Sequence, residues 1–137
     1  MKINNKVGDI HIRLDTSRID RNIQEAQKYL DNRVITDCEP FVPIRTGGLR
    51  GSARRFTEPG SGRVVWNTPY AHYQYDGKMM VGVDSKSPWA KKNEPKEYNG
   101  KTLTYSDPAT GANWFERAKK RFKKSWIEGV ARNVRKK

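Results

Sequence analysis

Two stretches of apolar residues at helical spacing, one near each end of the chain, constrain the fold more than any other feature. The first covers residues 17–38, with apolar side chains at Ile19, Ile23, Ala26, Leu30, Val34 and Cys38. The second covers residues 113–137, with Phe115, Ala118, Phe122, Trp126, Val130 and Val134. Spacings of three and four residues place each set on one face of an α-helix. Both segments are therefore predicted to be amphipathic helices.

Local signals at the helix ends agree with these limits. Pro40 and Pro43 follow the first segment, and proline disfavours helical backbone both at its own position and at the residue before it. Asn113 is followed three residues later by Glu116, which resembles a capping box at the start of the second segment.

Strands are predicted before the first helical segment and between the two helical segments. Residues 7–14 alternate apolar and polar side chains, which is typical of a half-buried strand. Residues 50–57 and 63–67 are predicted as two strands joined by a turn at 58–62, and residues 79–83 as a further strand. The order of elements predicts an α+β fold, in which an antiparallel sheet of about four strands is packed by the two long helices.

A polar segment interrupts this pattern at residues 84–112, which are rich in Lys, Ser, Pro and Asn. Structureless segments of that length are uncommon inside a compact domain, so we predict a projecting arm. Asn99-Gly100 within it is the strongest short hairpin signal. We expect one domain over residues 1–137, ending in a basic tail at 132–137.

The charge of the chain is strongly positive and is concentrated at its C-terminal end. Lys and Arg number 28 against 15 Asp and Glu, a formal net charge of +13. Residues 113–137 contain ten basic and two acidic residues, a net charge of +8. This pattern indicates a polyanionic partner bound without sequence preference, although a solvated helix face is an alternative. The candidates to face double-stranded DNA are Lys119, Lys120, Lys123, Lys124, Arg132 and Arg135.

Catalytic and cofactor chemistry is not indicated. The glycine-rich stretch at 41–55 lacks the lysine and the spacing of a phosphate-binding loop. His72 and Asp76 stand four residues apart without a nucleophile at motif spacing. One cysteine, Cys38, and two distant histidines give no zinc-ligand pattern. We expect no enzyme, no cofactor and no metal site. No apolar run reaches the roughly 20 residues of a membrane span.

A tyrosine-rich turn follows the predicted strand at 63–67. Pro69 suits the first position of a short helix, on which Tyr70 and Tyr73 share one side and Tyr75 lies on another. Tyrosines grouped in this way can stack nucleic-acid bases. Packing against the sheet or against a neighbouring subunit is favoured, because tyrosine is enriched at interfaces.

Three stretches together resemble a known family. They are PIRTGGLRGS at residues 43–52, VVWNTPYAHYQYDG at 64–77 and PATGANWFERAKK at 108–120. Their order and spacing resemble the minor capsid or head–tail joining proteins of tailed bacteriophages, also called neck or tail-completion proteins. The segment at 84–107 carries no part of this resemblance.

The resemblance implies a structural virion protein that forms a ring at the head–tail junction, after synthesis in the bacterial cytoplasm. Its expected partners are copies of itself, neighbouring connector and tail proteins, and the DNA in the channel, with no membrane. A free, non-specific nucleic-acid-binding module is the alternative. We expect Leu49 to turn back onto the core and Arg50, Arg54 and Arg55 to point outward. The candidates for subunit contacts are Pro43, Arg45, Thr46, Gly47, Leu49, Arg50, Arg54, Tyr70, Tyr73 and Tyr75.

Overall fold

The computed structural model describes residues 1–44, 47–87, 93–105 and 107–137. Over these described residues the fold is α+β, with four strands and four α-helices besides a 3₁₀ turn at Glu39–Phe41. The order of elements is β1 Lys2–Val7, β2 Ile10–Asp15, α1 Ser17–Cys38, α2 Gly48–Phe56, α3 Ala71–Asp76, β3 Lys78–Gly82, β4 Lys96–Thr102 and α4 Trp114–Val134. The two long helices therefore lie where the sequence predicts them, and the short helix α3 begins two residues after Pro69.

The core lies between α1 and α4, which pack on each other along much of their lengths. Cys38 and Ala118 are fully buried at this contact, and Trp114 and Trp126 are almost so. The predicted apolar stripes account for the contact, with one difference. Ile19 and Ile23, at the N-terminal end of α1, are exposed, and the residue of that end that meets α4 is the buried Asn22.

Small residues and buried polar groups set the distance between the two helices. Gly129 in α4 faces Tyr29 of α1, and a β-carbon at Gly129 would overlap the tyrosine ring and its hydroxyl. The side-chain amide of Asn22 in α1 donates to the backbone carbonyls of Val134 and Lys136. Since the last carbonyls of a helix lack partners within it, Asn22 closes the C-terminal end of α4.

Helix α2 replaces the first strand predicted after the glycines, so the prediction of a strand at 50–57 is wrong. Gly47 takes the left-handed conformation with φ of 75° at the position before α2. Leu49, Ser52 and Ala53 then turn to one face and are buried, at spacings of three and four residues that suit a helix. Two consecutive glycines obscured this short helical pattern in the sequence.

The prediction of a strand at 63–67 is also wrong, because these residues form no strand and pair with none of the described strands. Their backbone instead bonds to side-chain hydroxyls: Val65 N donates to Thr57 Oγ1 at 2.9 Å, and Asn67 N donates to Ser52 Oγ at 3.1 Å. The predicted turn before it is held by Asp31 of α1, whose carboxylate accepts from Gly60 N and Gly62 N.

The four strands form two separate two-stranded antiparallel sheets, β1 with β2 and β3 with β4. This differs from the predicted sheet of about four strands packed by both helices. The strand predicted at 7–14 is likewise corrected: a turn at Gly8 and Asp9 divides it, and both strands of the resulting hairpin are exposed along their whole length. Alternation of apolar and polar residues established the strand but not what covers its apolar face.

The Asn99-Gly100 signal marks an irregularity and not a hairpin, so that prediction is wrong. Strand β4 continues through both residues, and its register with β3 shifts between the pair Lys78–Thr102 and the pair Met80–Tyr98. The side chain of Asn99 accepts from Lys101 N at 2.9 Å, and Gly100 has φ of 81°. The extra β4 residues thus form a bulge, in which glycine takes the positive φ.

The C-terminal end of the segment predicted as an arm lies against the body of the domain. Thr110 and Gly111 are buried, and Gly111 N donates to the carbonyl of Phe41 at 3.1 Å. The capping box predicted after it is wrong, because Asn113 has φ of 56° and its side chain makes no capping hydrogen bond. Asn113 N donates instead to the carbonyl of Tyr75.

Candidate assembly and nucleic-acid surfaces

The stretch from Pro43 to Ser52, which we call the joint, leads from the 3₁₀ turn after α1 into α2. Val42 is fully buried before it, whereas Ile44 is exposed. Gly47 N donates to the carbonyl of Ile44 at 3.1 Å, and Gly51 N to the carbonyl of Gly47 at 2.9 Å. These bonds join the turn directly to the first turn of α2. Two of the predicted contact residues, Arg45 and Thr46, lie outside the described residues.

Leu49 turns inward from this joint, as expected, and only 3% of it is exposed. It belongs to the same buried cluster as Val34, Cys38 and Trp114. Ser52, one turn later, is fully buried and donates to the carbonyl of Leu49 at 2.6 Å. Leu49 therefore holds α2 to the core and is not a surface residue, although it was a candidate for subunit contact.

The three arginines of α2 bond within the chain. Arg50 is partly buried, and its Nη2 donates to the carbonyl of Val42 at 2.8 Å, so the expectation that it points outward is wrong. Arg54 is exposed and forms an ion pair with Glu39 at 2.7 Å. Arg55 is exposed and donates to the carbonyl of Gly48 at 3.1 Å. These contacts fix the angle at which α2 leaves the joint.

The three candidate tyrosines have different surroundings. Tyr75 packs edge-on against Trp114, with the ring centroids 4.7 Å apart, and burial raises the pKa of its hydroxyl. Tyr70 and Tyr73 line an open groove of about 280 Å³ between α3 and the β3–β4 sheet. The structure thus brings two of the tyrosines to one surface and places the third in the core.

His72 and Asp76 form the exposed pair that their spacing predicts, with Nε2 and Oδ2 3.1 Å apart. The hydroxyl of Tyr98 also reaches Asp76, at 3.3 Å, and partial desolvation and this carboxylate raise the tyrosine pKa. Within the described residues, no group of three or more His, Cys, Asp or Glu side chains could hold a metal ion. The pair is a local surface contact of α3.

The basic residues of α4 fall on more than one side of the helix. Successive residues turn by about 100°, so Lys120, Lys124 and Arg135 lie within about 60° of one another and Lys123 lies beside them. All four are exposed, and we call them the basic face. Lys119 and Arg132 point to its two flanks, and Lys119 is partly buried. The six candidates therefore do not form one strip.

The basic face forms no ion pair with a described carboxylate, although Glu116 stands four residues before Lys120 and Glu128 four residues after Lys124 on the same helix. Every ion pair found among the described residues lies elsewhere in the chain. Lys123 and Lys124 follow Lys120 by three and four residues, and like charges at these spacings on a helix repel one another.

Comparison with known proteins identifies the family. The family model for minor capsid proteins matches residues 10–134, from β2 to the last residue of α4. The chain belongs to the minor capsid protein family. A search of the curated proteins found no match, and a search of the solved structures found none either.

This membership confirms the resemblance and gives the minor capsid protein a structural role in a bacteriophage virion. The family match includes the joint, the tyrosine-rich turn and the basic helix in one continuous span. In the part of the minor capsid protein that the structure describes, no helix is both long and apolar enough to cross a membrane.

Two surfaces of the minor capsid protein were not found by sequence reasoning. One is the apolar side of the β1–β2 hairpin, and the other is the groove beside α3, whose rim carries Lys78 and Lys96. The alternation of apolar and polar residues at 10–14 indicated an apolar side on this strand, and so pointed to the first surface. The second depends on the pairing of β3 with β4. The sequence predicts a strand at 79–83, but its Asn99-Gly100 pattern predicts a hairpin where the partner strand β4 lies.

Proposed function

We propose that this minor capsid protein forms a ring in the neck of a tailed phage, between the portal-side connector and the tail tube. The ring joins head to tail and surrounds the channel through which the DNA passes. Membership of the minor capsid family and the resemblance of its three motifs to neck proteins support this position. The proposed role is assembly and requires no reaction and no cofactor.

The observation that carries the proposal is the basic face of α4. Lys120, Lys123 and Lys124 are exposed and form no ion pair with any described carboxylate. No arrangement for reading base edges accompanies them, so contact with DNA is expected through phosphates alone. Such contact suits a channel through which every sequence of a genome must pass.

A closed ring requires each subunit to present two different surfaces, because head-to-tail contacts generate cyclic symmetry. The minor capsid protein offers exposed candidates on separate elements. Ile44 and Arg54 lie at the joint, and Tyr70 lies at the groove beside α3. The proposed partners are further copies of the chain, the connector and tail proteins, and double-stranded DNA.

A depletion experiment tests this function. Phage made without the chain should yield DNA-filled heads that lack tails, and supply of the chain from a plasmid should restore tailed particles. A triple variant of the basic face, K120E/K123E/K124E, should assemble but lower the yield of infectious particles. The control R18E/R21E changes two exposed charges on α1 and should leave the yield unchanged. Normal tailed particles after depletion would contradict the proposal.

The second candidate function, a free nucleic-acid-binding module, rests on the same basic face. Titration of the purified chain with two unrelated DNA duplexes at several salt concentrations separates the two. A neck protein should bind both duplexes weakly, and its affinity should fall with salt at a slope of about −0.9 for each phosphate contacted. Low micromolar binding by a monomer at physiological salt would favour the module instead.

A further inference from the structure

The β1–β2 hairpin has one apolar side that nothing within the described chain covers. The register pairs Ile3 with Leu14 and Val7 with Ile10, and Ile12 lies between them. Directly opposed residues share one side of a sheet, so all five side chains are on the same side. Their exposed fractions lie between 42% and 63%. The other side carries the polar pairs Lys2–Asp15, Asn4–Arg13 and Lys6–His11.

An isolated two-stranded hairpin is marginally stable in water. Contiguous exposed apolar side chains on a soluble protein commonly mark a contact surface. The base of the hairpin is closed at the residue before α1, where Thr16 N donates to the carbonyl of Met1 at 2.7 Å. Its tip is formed by Val7, Gly8, Asp9 and Ile10, and it presents two aliphatic side chains beside one carboxylate.

The groove beside α3 has the matching character. Its walls are Pro69, Tyr70, Tyr73, Met79, Met80 and Leu103, and methionine and aromatic side chains adapt readily to an aliphatic guest. Tyr70 is 42% exposed, so the groove is open to a segment from another molecule.

The charges at the two sites are also complementary. Lys78 and Lys96 border the groove, where their amino groups stand 5.5 Å and 5.4 Å from the ring centres of Tyr98 and Tyr73. Neither lysine forms an ion pair with a described carboxylate. Asp9 at the hairpin tip is exposed and pairs with no described cation. The carboxylate of Asp9 and the amino groups of Lys78 and Lys96 carry opposite charges and therefore attract each other.

We infer that the hairpin tip of one copy inserts into the groove of a second copy, with Val7 and Ile10 against the tyrosine and methionine walls and Asp9 between Lys78 and Lys96. The contact joins two different surfaces, so it is head-to-tail and propagates around a ring. The inference deepens the proposed function, because it names the surfaces by which neighbouring subunits of the ring meet.

Disulfide trapping between two single-site variants tests this contact. One variant carries Val7→Cys, and the other carries Met79→Cys with a tag that changes its size. Cys38 is fully buried, so it does not compete. The two variants are mixed at high concentration, and are also co-expressed to complement a phage that lacks the gene. Oxidation should give the mixed dimer in the purified mixture, in particles, or in both.

A matched control places the cysteine at Lys6, next to Val7 but on the polar side of the hairpin. Lys6→Cys with Met79→Cys should give at least fivefold less mixed dimer than Val7→Cys with Met79→Cys. Equal yields would overturn the inference. So would Val7–Val7 dimers as the main product, since these indicate two hairpins packed face to face. Absence of the mixed dimer both in solution and in particles would overturn it as well.

Charge reversal gives a second measurement that leaves the core untouched. Asp9→Lys should reduce the trapped dimer several-fold, and Lys78→Glu with Lys96→Glu in the partner variant should restore it. No rescue would count against the contact. The two proposals fail separately. If the chain is found at the tail vertex but the dimer is not trapped, this contact is wrong and the neck assignment stands. If the dimer is trapped but the chain is absent from that vertex, the contact stands and the neck assignment is wrong.

Discussion

The indole N–H of Trp126 in α4 donates to Asp37 Oδ2 of α1 at 2.6 Å, inside the contact between the two long helices. Arg33, one turn before Asp37, reaches the other carboxylate oxygen at 3.3 Å. Phe115 stacks on the indole with the ring centroids 6.1 Å apart. This buried bond between residues 89 positions apart fixes the register of the helix that carries the basic face.

Replacement of Trp126 by Phe should lower the free energy of unfolding by about 2 to 4 kcal/mol, because a buried acceptor loses its partner and the core loses volume. Urea denaturation followed by circular dichroism measures this change. Asp37→Ala removes the acceptor and should be strongly coupled to Trp126→Phe, so that the double variant loses less than the sum of the two single changes.

Trp114→Phe is the matched control for this double-mutant cycle of Trp126 and Asp37. Trp114 is equally buried, but its indole nitrogen has no hydrogen-bond partner among the described residues. Its effect should therefore add to that of Asp37→Ala within about 0.5 kcal/mol. Additive effects in both cycles would show that the Trp126–Asp37 bond contributes nothing.

Gly129→Ala should destabilise the protein by about 1 to 2 kcal/mol, although alanine favours a helix by about 1 kcal/mol over glycine. The new methyl group would overlap Tyr29 of α1 and force the two helices apart. Gly51→Ala in α2 is the control, since the β-carbon there meets only the flexible end of Arg55, at 3.1 Å. Thermal unfolding should show a lower Tm for the first variant and an equal or higher Tm for the second.

Cys38 should be inert in the folded protein. Burial raises the pKa of its thiol from 9.0 to about 12, so little of the reactive thiolate is present at pH 8. A chromogenic thiol reagent should react slowly with the native chain. It should react rapidly in about 8 M urea, which is concentrated enough to unfold most small domains. Rapid reaction without urea would mean that the contact between α1 and α4 opens readily.

The same pKa shift gives a pH dependence. Because the folded-state pKa is raised, its contribution to stability is complete below about pH 9 and is lost as the pH rises toward about 12. The difference in free energy of unfolding between wild type and Cys38→Ala isolates this effect from the lysines and tyrosines. Above pH 9 the free energy of unfolding of the wild type should fall relative to that of Cys38→Ala. A difference that stays constant from pH 7 to pH 11 would contradict the burial of the thiol.

The sequence predicted the long helices well because their packing follows from periodicity. Cys38, Ala118 and Trp126 recur at helical spacing and are buried as that spacing requires. It did not predict whether the apolar residues of the N-terminal hairpin and of the first turns of α1 are covered by another element. Ile12 and Ile23 obey the same rules of alternation and periodicity, yet both are exposed, since burial depends on neighbours that a local pattern does not specify.

The errors in the middle of the chain have a common cause. Hydroxyl side chains of Ser52 and Thr57 satisfy backbone donors of the 63–67 segment, and such bonds leave no trace in hydrophobic patterning. The left-handed Gly47 allowed a helix to start where glycines suggested only a turn. For the candidate sites, residue type predicted a basic helix, on which Lys120, Lys123, Lys124 and Arg135 are exposed. The inward direction of Arg50 depended on the position of the Val42 carbonyl.

A reconstruction of the tail-bearing vertex, from phage particles made with the tagged chain, tests the central claim most directly. The account predicts a closed ring of this chain between the portal-side connector and the tail tube, with Lys120, Lys123 and Lys124 of each α4 directed toward the DNA channel. Density for the chain elsewhere in the virion, or a ring in which α4 faces away from the channel, would contradict it.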